Sequence, residues 1–260
     1  MSRITIEPAA LRHLGSQFEN AHLDKRTVLF FDHNTERLFA ETIESQLHEQ
    51  GFELRKIVVP ASERAKSLRV AEKVYGELIA AKVNRSWSIV AVGGGVVGDL
   101  AGFVAASFMR GLPLVNVPTT LLAMADSAIG GKVAVNHPRG KNLIGFFYEP
   151  VIVAIDPNFL NTLPPRDVRS GLAEILKYAF IGNENFLGYF ETHLEKMLAL
   201  QSPFIDQAIR TSVKAKINIV KRDPHETKGL RALLNFGHTF GHAIESAAGY
   251  GKLRHGEAVL

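Results

Sequence analysis

The segment Asn235-Phe236-Gly237-His238-Thr239-Phe240-Gly241-His242 places two histidines four residues apart, and His255-Gly256-Glu257 follows shortly after. On a helix the first two imidazoles share one face, and three histidines this close merit a metal hypothesis. A zincin-type hydrolase needs a glutamate directly after the first histidine as its base. Thr239 stands there instead, so peptide hydrolysis falls to a remote alternative. The chain has no cysteine, and any metal must be held by His, Asp or Glu. A carboxylate has to come from elsewhere, and Gly171-Leu172-Ala173-Glu174-Ile175-Leu176-Lys177 offers Glu174 and Lys177 one turn apart in an otherwise apolar helical pattern. Charged groups in such a setting call for partners. Either the two pair with each other, or Glu174 serves a cation.

Two further segments have the composition of a ligand site. Gly93-Gly94-Gly95-Val96-Val97-Gly98-Asp99 follows an apolar strand pattern and opens an apolar helix, so its backbone can approach a pyrophosphate with the helix N-terminus facing the charge. Its spacing departs from G-x-G-x-x-G, and a tight packing turn reads it equally well. Asp32, at the end of an earlier strand, suits either a ribose hydroxyl or a helix N-cap. Between Pro118 and Gly145, Thr119, Thr120, Asp126, Lys132, Asn136, Lys141 and Asn142 are interleaved with glycines and small apolar residues, the pattern of a lined cavity. Lys132 and Lys141 supply point charges for a phosphate or carboxylate, and Arg110 and Arg231 could clamp one. Taken singly, each of these is also an ordinary solvated charge.

These residues need elements to hold them. Apolar runs at 27–31, 54–59, 87–92, 114–117 and 151–155 read as strands, alternating with helical patterns at 36–49 and 63–83, and the glycine- and asparagine-containing stretch 129–147 reads as an irregular hairpin. Alternation of this kind implies an α/β fold, a Rossmann-like doubly wound parallel sheet over residues 1–163. After Thr162-Leu163-Pro164-Pro165 strand signals fade. Helical periodicity at 167–181, 184–199, 203–220 and 237–248 implies an all-helical second domain over 164–260.

Composition narrows the function classes. At 260 residues, 46% hydrophobic and 22% charged, the chain is ordinary globular material for one large or two modest domains. The net charge is +4, with Lys and Arg scattered among acids, which argues against a nucleic-acid surface and suits small anionic substrates. The N-terminus lacks a signal-type apolar region, and the most apolar stretch is broken by Asp99 and glycines. A cytoplasmic protein that does not span a membrane is expected.

Taken in order, GGGVVGDLAGFVAASFMRG, VPTTLLAMADSAIGGKVAVNHPRGKNLIG, TLPPRDVRSGLAEILKY, LNFGHTFGHAIE and RHGEA resemble the 3-dehydroquinate synthase family, across nearly everything from Glu63 onward. The resemblance implies a metal, zinc with cobalt as a substitute, on Glu174, His238 and His255, with His242 beside it. It implies NAD against Asp32, Glu63, Lys66, Gly95, Val96, Val97, Gly98, Asp99, Thr119, Thr120, Lys132, Lys141, Phe159 and Thr162. Substrate contacts would come from Asp126, Lys132, Asn142, Lys177, Lys214, Arg231, Asn235 and His242, with Arg110 reaching a neighbouring subunit of a homodimer. Among these, Lys132, Glu174, His242, Asn142, Lys177 and Arg231 would be catalytic. The implied reaction is phosphate elimination and cyclisation of 3-deoxy-D-arabino-heptulosonate 7-phosphate to 3-dehydroquinate, a lyase step of the shikimate route to chorismate and the aromatic amino acids.

Two departures accompany the resemblance. Ser62 precedes Glu63 where the family usually has glycine, and family members continue past HGEA with further helices and another phosphate-site lysine, so the chain reads as shortened. A related sugar-phosphate cyclase, a metal-dependent alcohol dehydrogenase, or an NAD-binding fragment without turnover are the alternatives.

Overall fold

The computed structural model describes residues 2–181, 184–249 and 252–259, the side chains of His242 and Ser246 excepted. The chain divides into two compact units: residues 1–119 with 131–156, and residues 120–130 with 157–260.

The first unit runs β1 (Arg3–Ile6), α1 (Leu14–Asn20), β2 (Arg26–Asp32), α2 (His33–Glu49), β3 (Glu53–Val59), α3 (Leu68–Ala80), β4 (Ser88–Gly93), α4 (Gly95–Ser107), β5 (Leu114–Pro118), β6 (Lys132–His137), β7 (Gly140–Phe147) and β8 (Ile152–Ile155). Six strands form one Rossmann-like sheet in the order β1-β8-β5-β4-β2-β3, and every neighbouring pair is parallel. Val28, Leu29, Phe30 and Phe31 are wholly buried, as continuous apolar strands flanked by helices require. Burying each such side chain contributes roughly 1.5–3 kcal/mol. The expected irregular hairpin is β6 paired antiparallel with β7, with a register shift between Val135 and His137.

Two expectations need correction here. The helix expected from residue 63 begins at Leu68, where the Ser67 hydroxyl accepts from Val70 N at 3.3 Å. Residues Glu63–Ala65 form a separate single turn, since Glu63 and Lys66 are drawn into polar contacts described below. The strand β1 has no counterpart in the sequence reading. Four residues with only Ile4 and Ile6 as an apolar signal are too few to show alternation, and β8 is what pairs them into the sheet.

The second unit contains α5 (Pro165–Phe180), α6 (Glu184–Leu198), α7 (Phe204–Arg222), α8 (His238–Ala248) and α9 (His255–Val259). Pro165 opens α5 at the position where a missing N–H costs nothing. Residues 120–130, containing a wide π-helical turn at Ala123–Ser127, leave the sheet unit after β5 and pack on α5 and α7. Gly171 permits this approach: a Cβ there would lie 2.6 Å from Leu121 Cβ and 2.8 Å from Leu122 N. Among the described residues no helix is long and apolar enough to cross a membrane.

Candidate active site

Glu174 lies in the middle of α5, 1% exposed, on the face that the helix turns toward α9. α9 packs on both α5 and α8, and this brings His255 and His238 to Glu174. His255 Nε2 is 3.2 Å and His238 Nε2 3.6 Å from Glu174 Oε1, and the two imidazole nitrogens are 3.2 Å apart. His238 Nδ1 lies 3.1 Å from the carbonyl of Phe236, so its N–H belongs on Nδ1 and its lone pair on Nε2. The three donor atoms lie within 4.8 Å of one another. Two imidazoles and a carboxylate converging in this way form an acceptor-rich pocket, and one carboxylate with two histidines is a donor set that zinc and cobalt accept with coordination positions left open. The residues fit a divalent cation.

Ionisation follows from the same neighbours. Burial works against the Glu174 carboxylate, yet His255 and Lys177 outweigh it and hold its pKa below the usual value. Lys177 Nζ sits 2.5 Å from Glu174 Oε2 and 3.6 Å from Asp126 Oδ1. Burial lowers its pKa, but these two carboxylates more than reverse that, so the ammonium stays charged. His238 is pushed down by burial, and His255 is pushed up because Glu174 and then Glu245 overcome its burial.

Beyond Lys177 the charges continue through Asp126. Lys216 Nζ donates to Asp126 Oδ1 at 2.9 Å and to its backbone carbonyl at 2.8 Å, and the Tyr178 hydroxyl donates to the same carboxylate oxygen. Burial opposes Asp126 ionisation, but the two lysines hold it well below the carboxylate range. Burial lowers Lys216, a shift that Asp126 only partly offsets, and Tyr178 is driven well above its usual value by burial and by Asp126. Arg231, 1% exposed, extends from the turn after α7 and donates to the carbonyls of Pro224 at 2.8 Å and Gly130 at 3.1 Å.

The sheet unit carries its own polar cluster. Lys66, buried beside the single turn before α3, donates to Asp99 Oδ2 and Asn142 Oδ1, both at 2.6 Å. Asn136 donates to Glu63 at 2.8 Å, and Lys141 lies 3.8 Å from the same carboxylate. Burial lowers Lys66, and Asp99 with Glu63 reverses the shift, so it is held charged. Gly95, Val96, Val97, Gly98 and Asp99 form the start of α4, Thr119 follows β5, and Lys132 begins β6. Asp32 is the N-cap of α2, with Oδ1 accepting from Asn34 N at 2.9 Å and Thr35 N at 2.8 Å, and the Thr35 hydroxyl accepting in return from Asp32 N.

The remaining sequence candidates are distributed over both units. Thr120, Phe159 and Thr162 belong to the helical unit, where Thr120 Oγ1 accepts from Ala123 N and Thr162 Oγ1 donates to the Phe159 carbonyl. Asn235 is exposed, Arg110 is exposed with φ 67°, and the side chain of His242 lies outside the described residues. Lys214 is exposed and lines a groove of about 470 Å³ with Arg210, Thr211 and Asn218. The lysine of α7 that meets Asp126 is Lys216, which the sequence reading missed, although Ile209, Ser212 and Val213 share its buried face at helical spacing. Tyr178 and Glu245 were missed as well; neither type stands out in an apolar helical run.

Known proteins resemble this chain along its whole length. The model of the 3-dehydroquinate synthase N-terminal domain matches residues 56–170, and that of the C-terminal domain matches residues 171–260. The 3-dehydroquinate synthase of Chlorobium chlorochromatii is 51% identical over 100% of this chain and 71% of its own length, and that of Desulforamulus reducens is 45% identical over 98% and 71%. Among solved structures, 2-epi-5-epi-valiolone synthase from Streptomyces hygroscopicus, with NAD+ and Zn2+ bound, superposes with a TM-score of 0.91 at 31% identity, covering 100% of this chain and 71% of that one. A 2-deoxy-scyllo-inosose synthase complexed with carbaglucose-6-phosphate, NAD+ and Co2+ gives 0.87 at 30%, covering 99% and 71%. With both domain models matched and half of all positions identical to curated relatives, the chain belongs to the 3-dehydroquinate synthase family.

Proposed function

We propose that this chain converts 3-deoxy-D-arabino-heptulosonate 7-phosphate to 3-dehydroquinate and phosphate, using NAD and a divalent metal, zinc or cobalt. The observation that carries the reading is the convergence of Glu174, His238 and His255 beside a buried, charged Lys177. Identity supports this substrate over those of the related cyclases, since the curated synthases stand near 50% and the two cyclase structures near 30%.

When bound, the cation would act as a Lewis acid on substrate hydroxyls, and NAD would take up and give back one hydride. Glu174, His238 and His255 would hold the cation, and Glu63, Lys66, Asp99, Thr119 and Lys141 are proposed to face NAD. Lys177 is kept charged by two carboxylates, so it serves as a fixed positive charge for substrate oxyanions and not as a base. Asp126, flanked by Lys177 and Lys216, would order those ammonium groups around the anionic substrate. Lys132 and His242 are the proposed proton-transfer groups, and Asn142 and Arg231 substrate contacts. A homodimer is part of the same proposal.

The test is phosphate release from that substrate by the purified chain with NAD and Zn²⁺. Glu174→Ala and His255→Ala are expected to abolish metal-dependent turnover, and undiminished release in either variant overturns the ligand assignment. Thermal stabilisation by NAD and Zn²⁺ without any phosphate release would support the reading as a binding fragment instead.

A further inference from the structure

Glu257, the third residue of the HGE motif, is not among the converging metal donors. Both of its oxygens are engaged elsewhere. Arg166 grips it bidentately, Nε to Oε1 and Nη2 to Oε2, each at 2.7 Å, and Oε2 also accepts from Arg254 N at 2.8 Å. Arg166 Nη2 donates in addition to the carbonyl of Lys252 at 2.9 Å, fixing the chain just before α9. Arg254 reaches Asp167 Oδ1 at 2.7 Å, and Gly256 N donates to Ser170 Oγ at 2.9 Å. A Cβ at residue 256 would stand 2.1 Å from the Ser170 carbonyl oxygen, so the backbone there lies directly on α5.

The residues on either side of His255 are thus tied to Arg166, Asp167 and Ser170, and Glu174 follows one turn further along the same helix. These contacts hold the start of α9 on α5. Exposed ion pairs add little to global stability, but a bidentate arginine–carboxylate pair fixes direction as well as distance. We propose that Arg166 and Glu257 are positioning residues for the metal site: their clasp sets the His255 imidazole against Glu174 before any metal arrives. The inference rests on the metal reading above and assigns Glu257 a purpose that metal ligation does not.

The test uses the full chain and Co²⁺ as the probe. Co²⁺ affinity and the visible d–d spectrum are measured for the wild type, Glu174→Ala, Glu257→Gln and Arg166→Lys, with hydrogen exchange of the α9 amides in the metal-free proteins. Glu257→Gln keeps the side-chain shape, and Arg166→Lys keeps the charge while losing the fork. Each is expected to weaken Co²⁺ about tenfold, to alter the d–d bands and to speed α9 exchange, with the melting temperature nearly unchanged. Combining the two should cost no more than either alone, because they break one contact. Wild-type Co²⁺ affinity and α9 exchange in both variants, with binding lost in Glu174→Ala, would overturn the clasp and leave the metal reading standing. Equal Co²⁺ binding by wild type and Glu174→Ala would overturn the metal reading, and the clasp's purpose with it.

Discussion

Glu245 Oε2 lies 3.6 Å from His255 Nδ1, while Nε2 of the same ring faces Glu174 Oε1 at 3.2 Å, so one imidazole is bracketed by two carboxylates. Burial lowers the imidazole's affinity for a proton, but the two anions reverse this and raise its pKa above 6.5. A raised histidine contributes stability that is fully present below the unfolded value and is lost as pH rises through the folded one. Metal uptake must displace that proton. Calorimetric titration with Zn²⁺ in buffers of differing ionisation enthalpy should show proton release that is larger in mildly acidic than in alkaline buffer. Release that does not vary between the two conditions would contradict the bracketing.

Asp126 neutralises two lysines at once, so its removal should be felt in the fold. Breaking a buried ion pair by removing one partner costs roughly 3–5 kcal/mol. The Asp126 side chain is 20% exposed, and the expected loss for Asp126→Asn is near the low end, about 3 kcal/mol. Denaturant unfolding measures it directly. A loss below about 1 kcal/mol, the range of surface pairs, would show that Lys177 and Lys216 find other partners.

The Arg166 and Arg254 contacts lower the Glu257 pKa from 4.5 to about 2. A depressed carboxylate contributes stability present above the unfolded value and lost as pH falls through the folded one. The difference in α9 hydrogen-exchange protection between wild type and Glu257→Gln should therefore be full above about pH 5 and shrink between pH 4.5 and pH 2. A difference that persists at the acid end would mean that charge is not what holds the clasp.

Gly171→Ala tests the approach of residues 120–130 to α5. The added methyl would meet Leu121 Cβ at 2.6 Å and Leu122 N at 2.8 Å, and backbone cannot swing aside. Overpacking of this kind costs about 1–3 kcal/mol, and the melting temperature should fall by several degrees. Unchanged melting would show the segment to be pliant.

How much of this was legible in the sequence depends on where the information lies. Runs such as TVLFF at 27–31 announce themselves because a parallel strand buried on both faces needs unbroken apolar residues. Three histidines and Glu174 were legible as candidates because few residue types bind metals and the chain has no cysteine, but that His238 and His255 join Glu174 came from the family resemblance. Lys216 was legible in principle, since Ile209, Ser212 and Val213 lead to it at helical spacing and Lys214 falls on the opposite side. The packing of residues 120–130 with the helices was not, because the segment's local pattern is the same whichever neighbours bury it. The Arg166 to Glu257 contact spans 91 residues, and no local pattern encodes it.

Because Asp126 reaches the helical unit from a stretch of chain that precedes β6, that unit is not a cassette that can be cut out at one point. A fragment beginning at Pro157 would leave Lys216 without the carboxylate it donates to and Lys177 with Glu174 alone, two cations close together where the native chain supplies a shared anion. Exchange of helical halves between relatives, by recombination or in the laboratory, has to carry residues 120–130 along or lose the charge balance around Glu174.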